Sequence, residues 1–135
     1  MASGDAILNA TTNGVNQHSR HPGSSRVEKH LLIDGAVATG NVLAWIPAAG
    51  VKRAAINVIG EDTADFTAQI RGTIPRTAGA APAGNGFQLG ADVVIATDKE
   101  QDFQLLAGGD TVEYIGAMIS VYTTGTAYVV LILVY

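Results

Sequence analysis

The run Ala127-Tyr128-Val129-Val130-Leu131-Ile132-Leu133-Val134-Tyr135 decides the fold class. Valine, isoleucine and tyrosine favour strand over helix. The run is also far shorter than the roughly 20 residues that a membrane helix needs. A strand points successive side chains to opposite faces. Tyr128, Val130, Ile132 and Val134 therefore share one face, and Val129, Leu131, Leu133 and Tyr135 the other. Both faces are apolar, whereas a half-solvated strand carries polar residues on one of them. The expectation is a strand covered on both sides, by a second sheet or by another copy of the chain.

Working back from that run, the same chemistry recurs. The alternation Phe66, Ala68, Ile70, Gly72 against Thr67, Gln69, Arg71 is a clean strand pattern, closed by Pro75. His30 to Ile33 runs into the turn signal Asp34-Gly35. Asn41 to Ile46 stops at Pro47, which cannot donate to a ladder. Arg53 to Ile59 meets Gly60-Glu61-Asp62, read as a turn. Further strand signals lie at 87–89, 92–96 and 102–106. The runs 112–122 and 127–135 flank Thr123-Thr124-Gly125-Thr126, which reads as a hairpin connection. The small-residue stretch from Pro75 to Gly86 is a long loop, of a length that is often functional. No segment sustains apolar spacing of three and four, so little helix is expected.

About eight short strands separated by turn signals suggest an all-β domain, a β-sandwich or jelly-roll-like fold, over residues 29–135. Residues 1–28 differ in composition, being rich in Asn, Ser, Thr, Gly and His with one apolar patch at Ala6-Ile7-Leu8. Such a stretch buries too little surface to offset its ordering entropy alone. It reads as an extended N-terminal arm ordered by neighbours, or as a disordered leader. There is a further internal echo: 55–70 and 117–132 each run strand, short polar segment, strand. Either the two are the middles of facing sheets, or any two hairpins look alike.

The totals narrow the function classes. The chain has 135 residues, 47% of them hydrophobic and 15% charged, and a net charge of −4. That suits one domain with a real core and lacks the basic stripe of a nucleic-acid binder. The 16 glycines fit a chain with many tight turns, and the absence of cysteine removes disulfides and thiolate metal sites. The N-terminal residues do not read as a secretory signal, so synthesis in a cytoplasm is expected, with no membrane partner.

Candidate chemistry is sparse. His18 and His21 are spaced to share a metal only on a helix, and Pro22-Gly23 follows them directly. Glu61, Asp62 and Asp65, and Asp98, Glu100 and Asp102, fall in or beside turns, where charged residues are ordinary surface. A sugar hydrolase needs two carboxylates across a cleft, and Asp98-Lys99-Glu100 lacks the alternation of a calcium loop. Gly84-Asn85-Gly86 has no Lys-Ser/Thr pair after it and is no phosphate loop. Neither a catalytic residue nor a cofactor or metal site is assigned. Trp45, the only tryptophan, reads as a packing aromatic or, alternatively, as a sugar-stacking residue beside the 75–86 loop.

The stretch from Tyr114 to Leu131, with its alternating strand passing through Thr123-Thr124-Gly125-Thr126 into a second strand, resembles a pattern in structural proteins of tailed bacteriophages. The segment from Ile56 to Gly72 is similar in style. With the polar arm, the chain resembles a capsid decoration (cement) protein. That resemblance implies no catalysis, the major capsid protein as partner, a trimer on the capsid exterior, and clamping by extended termini. The expected contacts are Arg20, Arg26 and Lys29 on a neighbouring capsid subunit, and Val129, Leu131, Leu133 and Tyr135 between copies. The alternative is a carbohydrate- or receptor-binding module of a tail or fibre.

Overall fold

The structure, a computed structural model, describes residues 26–77, 80–96, 99–106 and 112–135. Six strands occur in chain order: β1 (Val27–Ala36), β2 (Ile46–Pro47), β3 (Arg53–Thr73), β4 (Phe87–Ile95), β5 (Gln101–Leu105) and β6 (Tyr114–Val134). All pairings are antiparallel and all six strands belong to one sheet. The chain is thus all-β, as expected, but its strands do not form the separate sheets of a jelly roll.

The reason lies in β3 and β6, each 21 residues long. The segments read as turns at 60–62 and 123–126 do not reverse the chain. They are corners inside two long strands that pair with each other from Arg53↔Val134 to Thr73↔Tyr114. The echo between 55–70 and 117–132 therefore has a structural meaning: the two segments are ladder partners. The register shifts between Glu61 and Asp65, opposite Thr124 to Thr126. Asp62 (φ 60°), Thr63 (φ 56°) and Gly125 (φ 94°) all adopt left-handed backbone there. A Cβ on Gly125 would lie 2.5 Å from Ala64 Cα and 2.6 Å from Glu61 O, so only glycine fits. Side chains bind the corner: Thr124 Oγ1 donates to Thr63 O, Tyr122 Oη to Gly125 O (2.8 Å), and Thr126 Oγ1 to Asp62 Oδ2 (3.2 Å).

The corners divide the sheet into two four-strand halves. In the first, the order is β1, the later part of β6, the earlier part of β3, then β5. In the second, β2 and the isolated bridge at Gly40 flank the earlier part of β6, followed by the later part of β3 and β4. The inward residues of both halves form a single core. It includes Ile56, Val58, Val129, Leu131 and Leu133 from the first half and Phe66, Ala68, Ile70, Val93, Ile95, Ile115 and Ile119 from the second. Gly60 lies at their meeting point, where a Cβ would strike Ile95 (2.7 Å) and Phe66 (3.1 Å).

Smaller differences have local causes. The signals at 87–89 and 92–96 are one strand, β4, bulged at Gly90 (φ 70°), where the register shifts. Of the expected strand 41–46, only Ile46 joins the ladder, with Pro47 beside it on the outermost strand. β1 begins at Val27, inside the expected arm of residues 1–28; residues 1–25 lie outside the described part.

Candidate functional site

The outward faces of the two halves differ. On the second half, the face of β6 carries Gly116, and residues 42–45 lie across it: a Cβ there would meet Val42 Cγ1 at 2.5 Å, Ala44 O at 2.9 Å and the Trp45 ring at 3.1 Å. The Trp45 ring also lies 3.0 Å from where a Cβ of Gly86 would sit. Asn85 joins the two crossing segments, its Oδ1 accepting from Val42 N (3.0 Å) and its Nδ2 donating to Asn41 Oδ1 (3.1 Å). Arg71, which projects outward from β3, donates to Asn85 O (2.8 Å), Gly86 O (3.0 Å) and Gln69 Oε1 (2.8 Å). Trp45 is thus a packing residue that covers the sheet, half-buried between two glycines. The sequence paired it with the 75–86 loop, and the two do meet, but through packing.

On the first half, no described residue crosses the outward face, and its centre is apolar. Its central row is Leu31–Val130–Asn57–Phe103, in register across β1, β6, β3 and β5. The next row toward the β3 N-terminus is Lys29–Ile132–Ala55–Leu105; on the other side it is Asp34–Tyr128–Ile59–Gln101. Leu31 is 51% exposed, Phe103 57% and Leu105 75%. A hollow of about 170 Å³ in this face is lined by Arg53, Ala54, Ala55, Phe103, Leu105, Ile132 and Val134, all from the strands themselves. A contiguous apolar patch of this kind is a candidate interaction surface.

The residues expected at an interface sort as follows. Val129, Leu131 and Leu133 are fully buried in the chain's own core, so they cannot also present a face to a second copy. The face left for a partner is the opposite one, with Val130, Ile132 and Val134. Tyr135 is half-buried, its ring under the Arg26 guanidinium at 4.1 Å and its N–H donating to Arg26 O. Arg26 is further held by Glu28 (3.2 Å), which also accepts from His30 (3.0 Å). Arg26 therefore links β1 to the end of β6 while about half of its side chain stays exposed. Lys29 is exposed on the open face. Arg20, His18, His21 and Asp98 lie outside the described residues. Asn57 and Phe103 were missed; their polar and aromatic types did not mark them, and only the β3–β5 register brings them together.

Other places offer less. A shallow apolar groove lies between Ile33, Ala36 and the 37–43 segment, with Leu43 at its rim. A polar recess at the corner is lined by Glu61, Asp62, Thr63, Lys99 and Glu100. Among the described residues no group of His, Asp or Glu is placed to hold a metal ion.

No family model matches the chain, and no curated protein does. Among solved structures, the crystal structure of SPBc2 prophage-derived protein YomS is similar, with a TM-score of 0.59 and 13% identity; the match covers 82% of this chain and 95% of that one. At that identity the likeness is one of fold: the six-stranded bent sheet has a counterpart in a protein derived from a prophage.

Proposed function

We propose that this chain is a non-catalytic structural protein of a bacteriophage particle, acting by burying surface on an assembled shell as a decoration protein does. The observation that carries the reading is the apolar face of the first half-sheet, a surface suited to packing between chains of an assembly and, among the described residues, lacking convergent polar groups. The prophage origin of a protein with the same fold supports the phage setting, and the resemblance of 56–72 and 114–131 to virion components supports the structural role. The major capsid protein is the proposed partner and the capsid exterior the proposed location. A ligand that binds the assembled shell and not its free subunits stabilises the shell by mass action, and many copies add avidity.

The test is binding to purified capsids of the parent phage, followed by heating. The reading expects co-sedimentation with the shell and a higher temperature of shell disruption when the protein is bound. It also expects that removal of residues 1–25 weakens capture without unfolding the sheet, since β1 starts at Val27. Unchanged shell stability at full occupancy sinks the decoration role, and unchanged capture after truncation sinks the clamp.

A further inference from the structure

We infer that the open face of the first half-sheet is a self-interface, on which two copies pack face to face about a twofold axis that lies across the strands at the Leu31–Val130–Asn57–Phe103 row. Lys29 lies one row from the centre on β1, and Asp34 one row from it on the other side of the same strand. Arg53 lies two rows from the centre on β3, and Glu61 two rows away in the opposite direction. Among the described residues none of these four is in an ion pair. A twofold axis across the strands reverses strand direction while leaving each strand facing itself. It therefore sets Lys29 of one copy against Asp34 of the other, and Arg53 against Glu61, each contact occurring twice. A twofold axis along the strands instead exchanges β1 with β5 and β6 with β3, which sets Lys29 against Leu105 and Arg53 against Val134 and leaves all four charges without an opposite partner.

The centre of the face agrees. Asn57 interrupts an otherwise apolar row, and its Oδ1 is shielded from solvent without a hydrogen-bond partner among the described residues. On the axis the residue lies opposite its own counterpart, where rotation of the carboxamide lets each side chain donate to and accept from the other. A lone polar residue of this kind fixes register in an apolar self-interface. The hollow beside Phe103 and Leu105 lies one to two rows off centre, so the operation carries Ile59 and Tyr128 of the second copy toward it.

The size suits a weak pair. Four strands about 4.8 Å apart, contributing about five to eight residues each at about 3.4 Å, span roughly 400 Å² in projection. Two such corrugated faces approach the roughly 1,200 Å² at the lower edge of stable interfaces, which places the pair in a concentration-dependent range. A threefold ring joins unlike patches and does not close this face on itself, so the twofold pair replaces the trimer that the family resemblance implies. This pairing draws on the same face as the proposed function and leaves a bound shell to the chain's other surfaces; sedimentation without capsids tests the pair, and capsid co-sedimentation tests the shell reading, separately.

The experiment is sedimentation velocity of the full chain across a concentration series, with wild type, Lys29→Glu, Asp34→Lys and the double exchange Lys29→Glu/Asp34→Lys. Circular dichroism confirms that each is folded. Wild type is expected to shift from monomer to dimer as concentration rises. Each single reversal places like charges together at two symmetric positions and should raise the dissociation constant about tenfold or more. The double exchange restores opposite charges and should return to within about threefold of wild type. A monomer at every concentration, a trimer, or a double exchange no better than the singles overturns the inference.

Discussion

The two halves of the sheet share one core and differ in what lies on their backs. On the second half, residues 42–45 and the Asn85–Gly86 corner cross the sheet, tied down by Asn85 and Arg71. On the first, the same two long strands present Val130, Ile132 and Val134 beside Leu31, Phe103 and Leu105, and the lining of the hollow comes from the strands alone. Glycine marks the difference. Gly116 and Gly86 remove side chains from the covered back so that other backbone can approach. The open back instead carries the apolar side chains of Leu31, Val130, Ile132 and Leu105, a surface suited to a partner.

Substitutions can break or sharpen that contrast. The largest effect is expected in the shared core: Phe66→Ala removes a side chain that is 1% exposed and should cost about 3–5 kcal/mol in denaturant unfolding. Phe103→Ala, on the open back, should change monomer stability by no more than about 0.5 kcal/mol while weakening self-association. Comparable losses from both would mean that the open back is closed within the chain.

Next is the joint between the halves. Gly125→Ala forces a Cβ against the Ala64 and Glu61 backbone at a left-handed position, and about 2–4 kcal/mol of destabilisation is expected from strain plus overpacking. A smaller loss, about 1–3 kcal/mol, is expected for Gly116→Ala, because residues 42–45 can lift away. Trp45, the only tryptophan, reports that movement as a red-shifted fluorescence maximum; an unshifted spectrum would contradict the covering role of 42–45. The smallest effect is a gain. Thr63 is β-branched at φ 56°, so Thr63→Gly should stabilise the corner by up to about 1 kcal/mol, read as a raised unfolding midpoint.

Much of the strand content was legible because burial imposes alternation. Phe66, Ala68, Ile70 and Gly72 are all inward, as their spacing implies. The corners were not legible, since Gly60-Glu61-Asp62 and Thr123-Thr124-Gly125 use the same residues whether a chain reverses or only bends. What distinguishes them is the partner strand: the two polar segments lie opposite each other in the ladder, and the internal echo was the one sign of it. The site was half legible. The final strand is apolar on both faces, so its pattern announces a covered strand but cannot say which face turns to the core; a shift of one residue exchanges them. The structure gives Val129, Leu131 and Leu133 to the core and leaves Val130, Ile132 and Val134 outside.

The most direct test of the open back is methyl NMR of the full chain with a soluble paramagnetic agent, recorded at low and high protein concentration. The account predicts that Leu31, Val130, Ile132 and Leu105 methyls are strongly broadened when dilute and become protected as concentration rises. Leu43, which is 88% exposed on the other half, should stay broadened throughout. Protection of Leu43 in place of those four, or broadening of the four that does not change with concentration, would contradict it.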